Sequence, residues 1–240
     1  MSLTGKTVII VGGTSGFGLH IAEQLLHAGA RLIITGRDAQ KLTRVLTMFR
    51  TQSFEVQGYV FDAAQRDQIP QFFDRTGPFD HLISMAGGFM GGGFLDAPME
   101  VIARAVDEKL YANLAIARAA RPHLKAGGSM VFTAGAGGKP HNASGAIIGN
   151  DAIRTLVQGL AVEVAPHGRV NAVAPTWTPT PLWRHMPAEE IAATERHFAG
   201  QIPLGRTASL AEIASAYLFL LENTFITGQT ITVDGGLSLV

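Results

Sequence analysis

The chain has 240 residues, with 19 lysines plus arginines against 19 aspartates plus glutamates, and no cysteine. The missing cysteine excludes a disulfide framework, a thiolate metal site and a thiol nucleophile. A formal net charge of zero argues against a nucleic-acid binder, and a hydrophobic fraction of 47% argues against disorder.

Short β-branched runs alternate with longer helical patterns. Strands are predicted at Thr7–Val11, 31–35, 55–61, 82–85, 130–133, 169–173 and Thr230–Val233. Helices are predicted at 19–28, 39–50, and near 64–76, 98–125, 145–165, 187–199 and 208–222. This alternation predicts an α/β fold with a parallel sheet covered on both faces. No linker, repeat or charge block divides residues 1–240, so one domain is expected. A secretory signal would need a basic start, a longer apolar core and a small-residue cleavage site, whereas the strand-like run Thr7–Val11 stops at Gly12. The longest uncharged stretches include 82–95 and 170–183, both shorter than the ~18 residues of a membrane helix and broken by glycine or proline. A cytoplasmic protein with no membrane or nucleic-acid partner is therefore expected.

The first strand runs into Gly12-Gly13-Thr14-Ser15-Gly16-Phe17-Gly18, which opens the first helix. Gly12 permits a tight turn, Gly16 lets backbone approach a pyrophosphate, and Gly18 lets helix and sheet pack closely. The N–H groups of Thr14, Ser15, Gly16 and Phe17 lie where a helix N-terminus favours phosphate. The second strand ends Ile34-Thr35-Gly36-Arg37. An NAD site usually has an acid here for the ribose 2′-hydroxyl. Gly36 has none, and Arg37 can pair a 2′-phosphate, which favours NADP(H) over NAD(H). Arg37 can equally be a solvated helix start. Asp62, after the third strand, is either an acceptor for the adenine amino group or a helix cap.

These features, with four further segments, resemble the short-chain dehydrogenase/reductase family over almost the whole chain. The family's TGxxxGxG turn stands as Gly12 to Gly18 without its leading threonine, and its NNAG segment as Ser84-Met85-Ala86-Gly87. Residues 169–175 match its RVNxxxP run, Pro203-Leu204-Gly205-Arg206 with Glu212-Ile213-Ala214 its PLGR…EIA segment, and 228–236 its last strand. The resemblance implies a seven-stranded, doubly wound Rossmann sheet. It also implies a nicotinamide cofactor, carbonyl/alcohol hydride transfer on a small-molecule substrate, and a homodimer or homotetramer. It places Ala86, Gly87, Pro175 and Thr180 against the cofactor, Thr180 by retaining the threonine of PGxxxT; Thr176 replaces that pattern's glycine.

Members of this family commonly donate a proton from a tyrosine whose pKa is lowered by a lysine four residues later, aided by a serine and an asparagine. The three tyrosines here, Tyr59, Tyr111 and Tyr217, are followed at that spacing by Ala63, Ala115 and Leu221. Counting back from Leu160-Ala161-Val162-Glu163, the tyrosine falls at Ala146 and the lysine at Asn150. The serine falls among Thr133, Ala134 and Gly135, and the asparagine falls at Lys109. Four substitutes are therefore candidates. Lys109, if desolvated, is an acid or charge partner, with Asn113 on its face, or else a snorkelling surface lysine. Thr133 is a polarising hydroxyl or a strand end. His141, beside Asn142, is a proton-transfer group bordering the substrate or a solvated loop histidine. Asn150 can bond a ribose hydroxyl.

The glycine-rich loop 87–94 is expected to be a mobile apolar wall or a connector. Trp177, Trp183, Met186 and Phe198 are expected to cover an apolar part of a substrate or to pack a subunit interface. The histidines have no metal-ligand spacing, so no metal is expected. The expected function is an NADP(H)-dependent oxidoreductase with a rearranged proton donor. The alternatives are a non-catalytic NADP(H)-binding sensor or partner subunit, and a non-redox enzyme on the same fold.

Overall fold

The β-branched runs pair into one sheet of seven parallel strands in the computed structural model, which describes residues 2–240. The strands are β1 Thr7–Val11, β2 Arg31–Gly36, β3 Val56–Val60, β4 Phe79–Ser84, β5 Leu124–Thr133, β6 Gly168–Pro175 and β7 Thr230–Val233. Their spatial order is β3-β2-β1-β4-β5-β6-β7.

Alternating side chains of each strand point to opposite faces and create two cores. Val8, Ile10, Leu32, Ile34, Val131 and Val173 pack with α1 Gly16–His27, α2 Ala39–Thr51 and α8 Leu210–Glu222. Ile9, Ile33, Leu82, Met130, Phe132 and Val170 pack on the other face with α3 Ile69–Thr76, α5 Ala112–Ala120 and α6 Ser144–Val164. Helix starts are set by local chemistry: Asp38 accepts the Lys41 N–H at 3.0 Å, and Ser209 with Glu212 forms a reciprocal capping box on α8. Helix α7 Ala188–Gln201 has no fully buried residue and lies outside these layers.

Two predicted elements change shape. The helix expected near 98–125 is α4 Met99–Val106, a π-helical turn at Asp107–Tyr111, then α5, with a last turn at Arg121–His123. Pro122 favours that ending, and a π turn inserts one residue that periodicity alone does not reveal. The strand expected at 130–133 begins at Leu124, which pairs with Phe79 of β4, and Gly128 pairs with Gly168 of β6. Among the described residues no helix is long and apolar enough to cross a membrane.

The strand order reverses direction between β1 and β4, so the loops leaving their carboxyl ends diverge. A crevice opens at such a switch point.

Candidate active site

A cleft of about 880 Å³ occupies this position. Its walls are the segments that follow β1, β2, β3, β4, β5 and β6, together with one face of the π turn and the start of α6.

The glycine turn forms one end. Gly12 and Gly16 have φ of +89° and +54°, a region that side chains disfavour. A Cβ on Gly18 would lie 2.2 Å from the Gly12 carbonyl oxygen, so helix and turn touch only because that atom is absent. The Ser15 side chain does not cap α1, and no acid stands in its first turn. The first N–H groups of α1 therefore face the cleft without an anionic competitor. Thr14, Ser15, Gly16, Phe17 and Gly18 all line it. Two contacts escaped sequence reasoning. The Thr35 hydroxyl accepts the Gly12 N–H at 3.2 Å, and a Cβ on Gly36 would meet Thr14 Cγ2 at 2.6 Å. Gly36 thus removes an acid and also makes room for the turn.

Arg37 is exposed at the cleft wall and has no ion-pair partner among the described residues. Lys41, one helical turn into α2, lines the same wall; its spacing from Arg37 was the available signal. Asp62 lines the cleft while one of its carboxylate oxygens accepts the Ala64 N–H at 3.1 Å. Ala86, Gly87, Pro175 and Thr180 also line it, and Thr180 packs over Gly16 while accepting the Leu182 N–H at 3.2 Å. The glycine cradle, the uncapped helix start and the cations beyond β2 fit a dinucleotide phosphate chain.

Lys109 enters the cleft from the π turn. It is 8% exposed, and burial lowers its pKa from 10.5 to about 8, with no other influence resolved. Its stem passes over Gly149 of α6, and its ammonium ends near Gly87, where a Cβ would stand 3.2 Å from Nζ. Ala146 presents only a methyl to the cleft. Asn150 lines the cleft with its amide against Gly135, where a Cβ would come within 2.6 Å of Nδ2.

The structure gives the other two candidates different positions. His141 is exposed and does not line the cleft, because backbone bonds between Gly92 and the 142–144 segment turn its loop outward. Of the two readings of His141, its position matches the solvated loop histidine. Thr133 borders the cleft, but its hydroxyl donates to the Ser84 carbonyl at 2.7 Å and meets the Tyr217 hydroxyl at 2.8 Å. Burial pushes the Tyr217 pKa upward, so the phenol stays protonated and acts as donor to Thr133. Among the described residues no group of three His, Asp or Glu side chains can hold a metal.

Residues 11–238 match the family model described as Enoyl-(Acyl carrier protein) reductase. A tropinone reductase homolog of Arabidopsis thaliana is 32% identical over 254 residues, covering 99% of this chain and 94% of the relative. The chain belongs to the short-chain dehydrogenase/reductase family. Tropinone reductase-like 3 of Erythroxylum coca is 30% identical over 242 residues, covering 97% of this chain and 93% of the relative. Among solved structures, a small-chain dehydrogenase in complex with NADPH is 28% identical with a TM-score of 0.83, covering 98% of this chain and 100% of that one. Ligand-free aldohexose dehydrogenase of Thermoplasma acidophilum is 26% identical with a TM-score of 0.85, covering 99% and 96%.

In this short-chain dehydrogenase/reductase the far end of the cleft is aromatic. Trp177 stacks on Phe198 at 5.5 Å between centroids and on Trp183 at 5.8 Å, and Phe89 meets Trp183 edge-on at 5.0 Å. The Trp183 indole donates to the Thr178 carbonyl at 3.0 Å. Phe89 belongs to the glycine-rich loop, so that loop does supply an apolar wall. It is nonetheless pinned, since Gly92 N–H donates to the Asn142 carbonyl at 2.9 Å and Ser144 N–H to the Gly92 carbonyl at 3.1 Å.

Proposed function

We propose that the protein is an NADP(H)-dependent oxidoreductase that interconverts a carbonyl and an alcohol, with the Lys109 ammonium as proton donor. The observation that carries this reading is a buried lysine, without a hydrogen-bond or ion-pair partner among the described residues, in the cleft that Ala146 also lines, Ala146 being the position the resemblance gives to the tyrosine. By the family resemblance, position 109 corresponds to the usual asparagine and 150 to the usual lysine, so a lysine at 109 and an asparagine at 150 would exchange the two groups between helices.

The first N–H groups of α1 would hold the pyrophosphate, and Arg37 with Lys41 the 2′-phosphate. The NADPH-bound relative supports this cofactor choice. Asn150 would bond a ribose hydroxyl, and Pro175 and Thr180 would flank the nicotinamide. The cofactor's nicotinamide supplies the hydride that reaches the carbonyl carbon. As the carbon–oxygen π pair moves onto oxygen, Lys109 gives that oxygen a proton and becomes the neutral amine. Solvent protonates it again for the next turnover. A lysine titrating at about 8 keeps most of its proton at pH 7 and yields it more readily than an exposed lysine. The aromatic end offers a face to an apolar portion of the substrate.

The test is tryptophan fluorescence during NADPH and NADH titration, followed by NADPH oxidation over a carbonyl panel. Expected results are tighter NADPH binding, measurable turnover, and loss of turnover but not of binding in Lys109→Met. Intact NADPH binding with no oxidation of any panel member overturns the redox reading in favour of a dinucleotide-binding sensor.

A further inference from the structure

We propose that Asn113 is the positioning residue that holds Lys109 in the cleft. In the π turn the Ala112 N–H donates five residues back, to the Asp107 carbonyl. At the next carbonyls the side-chain amide of Asn113 intervenes: its Nδ2 donates to the Lys109 carbonyl at 2.6 Å. The same nitrogen donates to the Ala86 carbonyl at 3.2 Å, and Oδ1 accepts the Ser84 hydroxyl at 2.6 Å. Asn113 and Ser84 are wholly removed from solvent, so water does not compete for these bonds.

Ala86 immediately precedes Gly87, beside which the lysine ammonium comes to rest. One amide therefore ties the backbone at the root of Lys109 to the backbone at the place its charged end reaches. A lysine side chain has many rotamers, which a fixed root and the close passage over Gly149 restrict. Polar atoms this fully bonded seldom serve packing alone, because an apolar residue of similar shape would avoid their desolvation. The groups facing Lys109 from α6 and from the turn after β4 are Gly149 and Gly87, and neither titrates; on its own helix Glu108 is the neighbouring acid at the cleft.

The kinetic importance of this arrangement rests on the proposed reaction, but its test does not. The chain has five lysines, so ¹³Cε-labelled lysine gives five signals, and Lys109→Met assigns the relevant one. In the wild-type protein that signal should titrate at about 8, well below the ordinary lysine value of 10.5. Asn113→Leu, or Asn113→Ser if the leucine variant does not fold, should raise the Lys109 midpoint by a unit or more as the ammonium escapes to solvent. Tyr217→Phe loosens the neighbouring Ser84–Thr133 contacts without touching Asn113, and should leave the midpoint in place. A folded Asn113 variant whose Lys109 midpoint stays at the wild-type value overturns the proposal. A shifted midpoint in a protein that oxidises no NADPH upholds it and overturns the proposed reaction alone.

Discussion

A Cβ on Gly149 would stand 2.9 Å from both Cβ and Cγ of Lys109, so the lysine stem crosses α6 at a point where the helix has no side chain. Gly149→Ala should therefore push the stem aside. Overpacking of this kind costs about 1–3 kcal/mol, more than the ~0.5–1 kcal/mol that alanine gains over glycine within a helix. Gly159 lies on the same helix with open space around it, so Gly159→Ala should be stabilising. Thermal unfolding and NADPH oxidation of the two variants should diverge: Gly149→Ala loses stability and at least tenfold in turnover, and Gly159→Ala loses neither. Equal behaviour would show that Lys109 does not depend on this corridor.

Lys109 costs stability. Its pKa is lowered from 10.5 to about 8 by burial. Between these values the unfolded chain binds more protons, so stability rises with pH across that window, and below pH 8 the penalty is complete. Lys109→Met should stabilise the protein at pH 7 by about 3 kcal/mol, since each pKa unit corresponds to about 1.4 kcal/mol. Chemical denaturation should show that gain at pH 7 and show it shrinking towards pH 10. A variant that is both more stable and inactive is the pattern of a residue kept for chemistry.

If Lys109 is the proton donor of the proposed reaction, the same titration should set opposite pH profiles for its two directions. Carbonyl reduction needs the protonated amine and should decline as pH rises through about 8, whereas alcohol oxidation needs the neutral amine and should rise there. Initial rates with NADPH and with NADP between pH 6 and 10 check this. Two flat profiles would remove Lys109 from the proton path.

His81 should contribute to a loss of stability in acid. It is buried on β4 with Nδ1 at 2.9 Å from the Ser129 hydroxyl, and burial, followed by the nearby Arg169, lowers its pKa to about 4 against the raising effect of Asp80. The unfolded chain binds more protons between about pH 6.5 and 4, so stability is lost as pH falls through that window. The loss should reach about 3 kcal/mol. His81→Asn should flatten denaturation midpoints across this range. An unchanged slope would place the acid sensitivity elsewhere.

Arg37→Glu should reverse cofactor preference. A charge-assisted bond to a 2′-phosphate is worth about 1.5–3 kcal/mol, so NADPH affinity should drop at least tenfold while NADH affinity holds or improves. Fluorescence titration with both dinucleotides checks it, and a parallel loss for both would mean that Arg37 serves the fold.

By itself the sequence determined the seven strands, the glycine cradle and the fact that no tyrosine is followed four residues later by a lysine. These are local properties: a turn that needs positive φ at Gly12 and Gly16 needs glycine in any surroundings, and strand periodicity follows from the pleat. Only the tertiary structure separated the candidate side chains by burial, placing Lys109 in the cleft and His141 on the surface. Whether Lys109 snorkels or is buried depends on Gly87 after β4, Gly149 in α6 and Asn113 in α5, three positions joined by the fold and not by spacing. His141 is closer in sequence to Ala146 than Lys109 is, yet the backbone bonds between Gly92 and the 142–144 segment turn it to solvent. Desolvation sets a lysine's acidity, and desolvation is a property of what packs around a residue, which the chain acquires only once it has folded.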